Sequence, residues 1–140
     1  MTTTRIYLPL ALADLERLRA DRSLTGPLNV HAVTPALAAG LPGTDEEERE
    51  YVALCDAVEA ATGLRARVGD RRVVAAADVV TGVVVPAEGG QPASRVSLPA
   101  GLELGRIASF HIDEVAGADD DELLWYDATE LDAVIAFGAS

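Results

Sequence analysis

The chain of 140 residues has no lysine, a single cysteine, and one Trp, three Tyr and two Phe. Cys55 alone excludes an intramolecular disulfide, which fits a reducing compartment. Aromatics at 4% leave the core to be built from Ala, Val and Leu. All 11 basic residues are Arg and alanine is abundant, a bias that follows GC-rich codons and predicts a high-GC bacterial source. The longest apolar run, Val73 to Val85, is too short to span a bilayer and contains Asp78. Arg5 is followed by only a short apolar stretch before Asp14, Glu16 and Arg17, which is not a signal-peptide pattern. These features predict a cytoplasmic protein. P-loop, GxGxxG, GxSxG and CxxC motifs are missing, as are HxxxH, HExxH and HxH spacings, so neither a cofactor nor a metal is expected.

What is present is globular. Hydrophobic residues make up 49% and charged residues 24%, and the length is that of one domain. A chain this long buries roughly two-thirds of its unfolded surface, enough for a core without a metal or disulfide. The 23 acidic residues give a net charge of −12, which repels polyanions and argues against nucleic-acid or anionic-membrane binding. It admits a basic partner.

Periodicity marks the elements. RIYLPL (Arg5–Leu10) reads as a strand stopped by Pro9. Leu12, Leu15 and Leu18 recur at helical spacing through about Asp21. Leu28 to Thr34 reads as a strand, and Pro35 opens a short helix ending near Gly40. Thr44 with Glu47 forms a capping box for a helix with Tyr51, Leu54, Cys55 and Val58 as its apolar stripe and Gly63 just past its end. Arg71 to Val79 reads as a central strand, Val83 to Val85 as its extension or another strand, Glu88 to Ala93 as a loop, and Arg95 to Leu98 as a short strand. In RIASFHIDE, Ala108, Phe110 and Ile112 alternate with Ser109, His111 and Asp113, which predicts a strand with one buried face. A last helix starts near Asp127, with Glu130 at its third position and Tyr126 and Leu131 as a hydrophobic staple. The expected class is α+β: a single mixed or antiparallel sheet in one domain over residues 1–140, with helices mainly on one face. A ferredoxin-like split βαβ arrangement is one candidate topology.

Three stretches carry a resemblance: RIYLPL; AVTPAL (Ala32–Leu37) followed by the acidic helix with EYVAL (Glu50–Leu54); and LLWYDATEL (Leu123–Leu131). With RRVVAAADV and RIASFHIDE between them, the chain resembles a family of short actinobacterial proteins of unknown function. The resemblance implies the class and a bacterial origin and carries no site residue with it.

Several side chains are candidates for chemistry. His31 and His111, the only histidines, fall on strands that can face the same side of a sheet, and with Asp113 they would form a small acid/base cluster. The alternative is two histidines satisfied by local hydrogen bonds. Arg65, Arg67, Arg71 and Arg72 are the one dense basic cluster and could converge on a phosphate or carboxylate, or simply counter the acidic helix. Cys55 lies on an apolar stripe beside Asp56 and Glu59, the setting of a buried structural thiol. Asp119 to Glu122 lacks the alternation of a calcium loop. Trp125 and Tyr126 suit either an interface or the anchoring of the last helix.

Two functions follow as expectations. One is a non-enzymatic protein-interaction or regulatory module, with a protein partner or a homodimer. The other is a small enzyme or ligand binder whose pocket holds His31, His111, Asp113 and an arginine. A weaker third is an inhibitor whose acidic face mimics a polyanion.

Overall fold

A computed structural model describes residues 2–87, 92–120 and 122–140. Of the expected loop Glu88–Ala93, residues Glu88 to Gln91 lie outside the described residues, as does Asp121 of the acidic run. The elements are β1 (Thr3–Leu10), α1 (Leu12–Asp21), β2 (Ser23–Leu24), β3 (Leu28–Ala32), α2 (Pro35–Gly40), α3 (Glu46–Thr62), β4 (Val73–Val80), β5 (Val85–Pro86), β6 (Arg95–Leu98), β7 (Leu102–Glu103), β8 (Ile107–Asp113), β9 (Leu123–Asp127) and α4 (Leu131–Gly138). The fold is α+β, as the patterning predicts.

Seven strands form one antiparallel sheet in the order β5-β6-β3-β1-β4-β8-β9, and β2 pairs with β7 in a small second sheet. A split βαβ unit needs parallel strands on either side of its helix with a third strand between them. Here β1 and β3, which flank α1, pair directly and antiparallel, so the ferredoxin-like topology is not the one adopted. Pro9 does not stop β1: it lies opposite Val74 of β4, and on the other side the pairing with β3 ends at Tyr7, where no N–H from residue 9 is required.

The helices cover both faces, which corrects the one-face expectation. Ile6, Leu8, Val73, Ala75, Phe110 and Ile112 pack with Leu15 and Leu18 of α1 and Leu131 and Val134 of α4. On the opposite face Tyr7, Val74 and Ala76 meet Leu37 of α2 and Ala53, Ala57 and Ala61 of α3. Both sides of the central strands are therefore buried, and β8, expected to have one wet face, buries Ser109 and Asp113 as well as Phe110.

α3 shows how local chemistry and packing compete. Its N-cap is Asp45, which accepts from Glu48 N at 2.9 Å, while the Thr44 hydroxyl donates to Leu41 O. The helix seats on its alanines, spaced four apart, because small side chains let it approach the sheet closely. That rotation leaves Tyr51 58% exposed and Leu54 and Cys55 half-buried, so the larger apolar side chains of the expected stripe border a groove.

Candidate functional site

Register places the two histidines on one face of the sheet. His31 pairs with Tyr7, Tyr7 with Ala76, and Ala76 with Ser109, whose same-face neighbour along β8 is His111. Three strand steps of about 4.8 Å separate the rows, so His31 and His111 stand about 14 Å apart across the sheet with Tyr7 and Ala76 between them. They share no site. Each is held by its own serine.

His31 is buried, and its Nδ1 lies 2.9 Å from the Oγ of fully buried Ser94. The Ser94 hydroxyl gives its one proton to Asp56 Oδ2 at 2.7 Å, so His31 Nδ1–H must be the donor in the other bond. Serine sits in the middle of this chain, not histidine. It ties the segment before β6 to β3 and α3 and offers no exposed nucleophile. Burial pushes the His31 pKa down, with Asp56 opposing and Arg95 assisting. His111 Nε2 shares a 3.0 Å hydrogen bond with Ser109 Oγ, and burial, helped by the Arg5 charge, lowers its pKa too.

Asp113 is not available to His111. It is fully buried and clamps Arg72 through three bonds: the Arg72 backbone N–H and Nε to Oδ2 at 2.7 and 3.0 Å, and Nη2 to Oδ1 at 2.9 Å. Arg72 Nη2 also donates to the Asp120 carbonyl, which pins the β8–β9 connection. The four clustered arginines disperse in the same way. Arg71 lies over the Phe137 ring, 4.1 Å from its centroid, and its Nη1 donates to the Phe137 and Ser140 carbonyls at the C-terminal end of α4, where a cation suits the helix dipole. Arg65 Nε donates to Thr62 O, its Nη2 lies 3.9 Å from Asp119, and its buried Nη1 has no partner among the described residues. The Arg67 side chain is exposed. They do not converge on an anion.

Trp125 and Tyr126 part company. Tyr126 packs on Phe137, ring centroids 6.3 Å apart, and fastens α4 to the sheet through that contact, a different partner from the Leu131 of the expected staple. Trp125, across from His111, is 64% exposed. Next to it a groove of about 190 Å³ opens between α3 and β8–β9, lined by Tyr51, Leu54, Cys55, Val58, His111 and Leu123. Cys55 thus borders a groove and is not enclosed in the core. Sequence periodicity missed β9 itself: in LLWYD every residue but exposed Trp125 is half-buried, so burial does not alternate along it.

A larger groove of about 460 Å³ lies on the opposite face, between the small sheet and the strand ends, lined among others by Leu24, Val79, Leu98, Leu102, Glu103 and Arg106. At its wall Gly26 and Gly101 let two backbones touch: a Cβ on Gly26 would overlap the Pro99 carbonyl, and Gly101 holds a φ of 83°. Among the described residues no group of three or more His, Cys, Asp or Glu could hold a metal ion, and no helix is long and apolar enough to cross a membrane.

No curated protein and no solved structure matches the chain. A family model described as a family of unknown function (DUF6912) matches residues 4–116, from β1 to just past β8, leaving β9 and α4 outside the match. The chain belongs to the DUF6912 family.

Proposed function

We propose that this chain is a non-enzymatic protein-interaction module that meets its partner through the face carrying Trp125. The observation behind the reading is an asymmetry in how side chains are used. The groups suited to chemistry, His31, Asp113, Arg71 and Arg72, are tied up in bonds that hold the fold together. Tyr51 stands exposed at the lining of a groove, and the one Trp stands exposed on β9 opposite His111, which also lines it. Exposed aromatics beside a concave apolar strip are typical of binding surfaces. A photo-crosslinker placed at position 125, with position 16 on α1 as control, tests this in a cell lysate. Position-specific adducts that vanish in a Tyr51→Ala background support the reading. Equal labelling at both positions, with a strictly monomeric chain in light scattering, refutes it.

A second reading has its own observation. Arg106 lines the 460 Å³ groove and makes no hydrogen bond or ion pair among the described residues. That volume and a free guanidinium suit a small anion with an apolar body. The ligand-binder alternative moves here from the histidines, which the fold keeps apart. Octanoate titration followed by NMR checks it: shifts at Leu102 and Arg106 that disappear in Arg106→Ala favour this reading. The arginine-only cation set and the acidic charge support an actinobacterial, cytoplasmic setting for either role.

A further inference from the structure

The edge strand β9 has a specific set of free main-chain groups. Glu114 N donates to Glu122 O at 3.1 Å, which fixes the phase of the β8–β9 ladder. Antiparallel pairs alternate between bonded and non-bonded, so Ile112–Leu124 and Phe110–Tyr126 are bonded pairs. Leu123 and Trp125 then point their N–H and C=O groups away from β8. On the β4 side the phase agrees, because Asp113 N donates to Arg72 O. Among the described residues no hydrogen bond is made to the outward groups of Leu123 and Trp125. The next outward N–H, that of Asp127, is already bonded to Glu130 Oε1 at 2.9 Å. The open edge is two residues long and offers two donors and two acceptors.

The other edge of the sheet is guarded. β5 is two residues long and ends in Pro86, which has no N–H to offer. β9 has neither proline nor a cation, and its Trp125 side chain lies beside the open groups. The exposed charge beside the strand is mainly acidic: no Arg or Lys follows Arg106 in the sequence, Glu114, Asp119, Asp120, Glu122, Asp127 and Glu130 flank the strand, and of the arginines that reach this end Arg72 is buried on Asp113, Arg65 is largely buried beside Asp119 and Arg71 donates to the Glu114 carbonyl. Two copies meeting edge to edge would bring these carboxylates together, which disfavours self-pairing.

We infer that β9 accepts an extended, basic segment of another protein as an eighth strand of the sheet. The segment bonds to the main chain of Leu123 and Trp125, lays an apolar side chain against the Trp125 ring, and sets its basic residues against the flanking carboxylates. This deepens the interaction reading and rests on it.

A peptide alternating arginine and valine serves as probe, with NMR of the full chain as readout. Controls are an arginine–glycine peptide of equal charge and two peptides N-methylated on the valines only or on the arginines only. The expected result is a saturable shift centred on the Leu123 and Trp125 amides. One methylated peptide binds about tenfold more weakly or worse, having lost main-chain bonds, while the other stays close to the parent. Shifts that scatter over the acidic surface, equal binding by the arginine–glycine peptide, or no binding at all overturn the inference. If Trp125→Ala abolishes binding but both methylated peptides bind like the parent, strand addition is overturned and the interaction reading survives. If Trp125→Ala is also without effect, both fall. Shifts at β9 that depend on protein concentration alone identify a second copy as the occupant and overturn the basic partner.

Discussion

Removing the Asp113 carboxylate is the sharpest perturbation the structure offers. Asp113 is 0% and Arg72 4% exposed, and three hydrogen bonds of 2.7 to 3.0 Å join them. In Asp113→Ala the buried guanidinium loses the carboxylate that three bonds tie to it, a loss of about 3–5 kcal/mol. A chain of this size is stable by roughly 7–21 kcal/mol at about 0.05–0.15 per residue, so the loss is a large fraction. With an unfolding entropy near 2.1 cal/mol/K per residue, about 0.3 kcal/mol/K here, Tm falls by about 10–17 °C. Urea and thermal unfolding followed by circular dichroism measure both quantities. The cost comes from stranding one charge, so the double variant Arg72→Met, Asp113→Leu recovers at least half of it. A single variant within about 1 kcal/mol of the parent, or a double variant as unstable as the single, refutes the reasoning.

Further outcomes follow from the same hydrogen-bond inventory. Ser94→Ala strands His31 Nδ1–H and Asp56 together and lowers stability by about 1–3 kcal/mol, read from denaturant midpoints. Both histidines have pKa values pushed below the ordinary 6.5, so the unfolded chain protonates first as the solution is acidified. Stability is therefore complete above about pH 6.5 and declines below it by up to about 1.4 kcal/mol per pH unit per histidine; His111→Gln flattens that slope, and an unchanged slope counts against the assignment. Burial pushes the Tyr7 hydroxyl up to about 12, so one tyrosine is expected to ionise last in an ultraviolet titration. Gly26→Ala drives a methyl into the Pro99 carbonyl, where backbone cannot yield cheaply, and costs more than about 2 kcal/mol by the same unfolding assay.

The parts of the fold legible in the sequence are those whose signal is local. α1, α2, β4 and β6 fall close to their expected bounds, and the Asp127–Glu130 capping box forms as read, opening a short 3-10 turn that leads into α4. What escaped depends on neighbours far along the chain. The buried stripe of α3 is Ala53, Ala57 and Ala61 with Val58, the one residue of the expected stripe that is fully covered, because the closeness of the sheet decides which side fits, and hydrophobic size alone pointed also to Tyr51. β9 has no alternation to find, since half of each face is covered by elements joined only in three dimensions. The candidate site divided in the same way. That His31 and His111 fall on strands was readable in the sequence, but their shared face rests on strand register and their separation on strand order, which puts β1 and β4 between them. The arginine cluster is dense in sequence and scattered in space because it lies in the connection between α3 and β4, where Arg65 bonds to Thr62, Arg71 to the end of α4 and Arg72 to Asp113.

The position of β1 has a consequence for how the chain comes into being. β1 is synthesised before the other strands of the sheet and becomes its middle, and its longest ladder is with β4, some seventy residues behind it. Until β4 has been synthesised, Ile6, Leu8 and Leu10 have only α1 and β3 to cover them. Such distant pairing predicts slow folding, on the millisecond-to-second scale, and a nascent chain that carries an unsatisfied apolar strand while some seventy further residues are made.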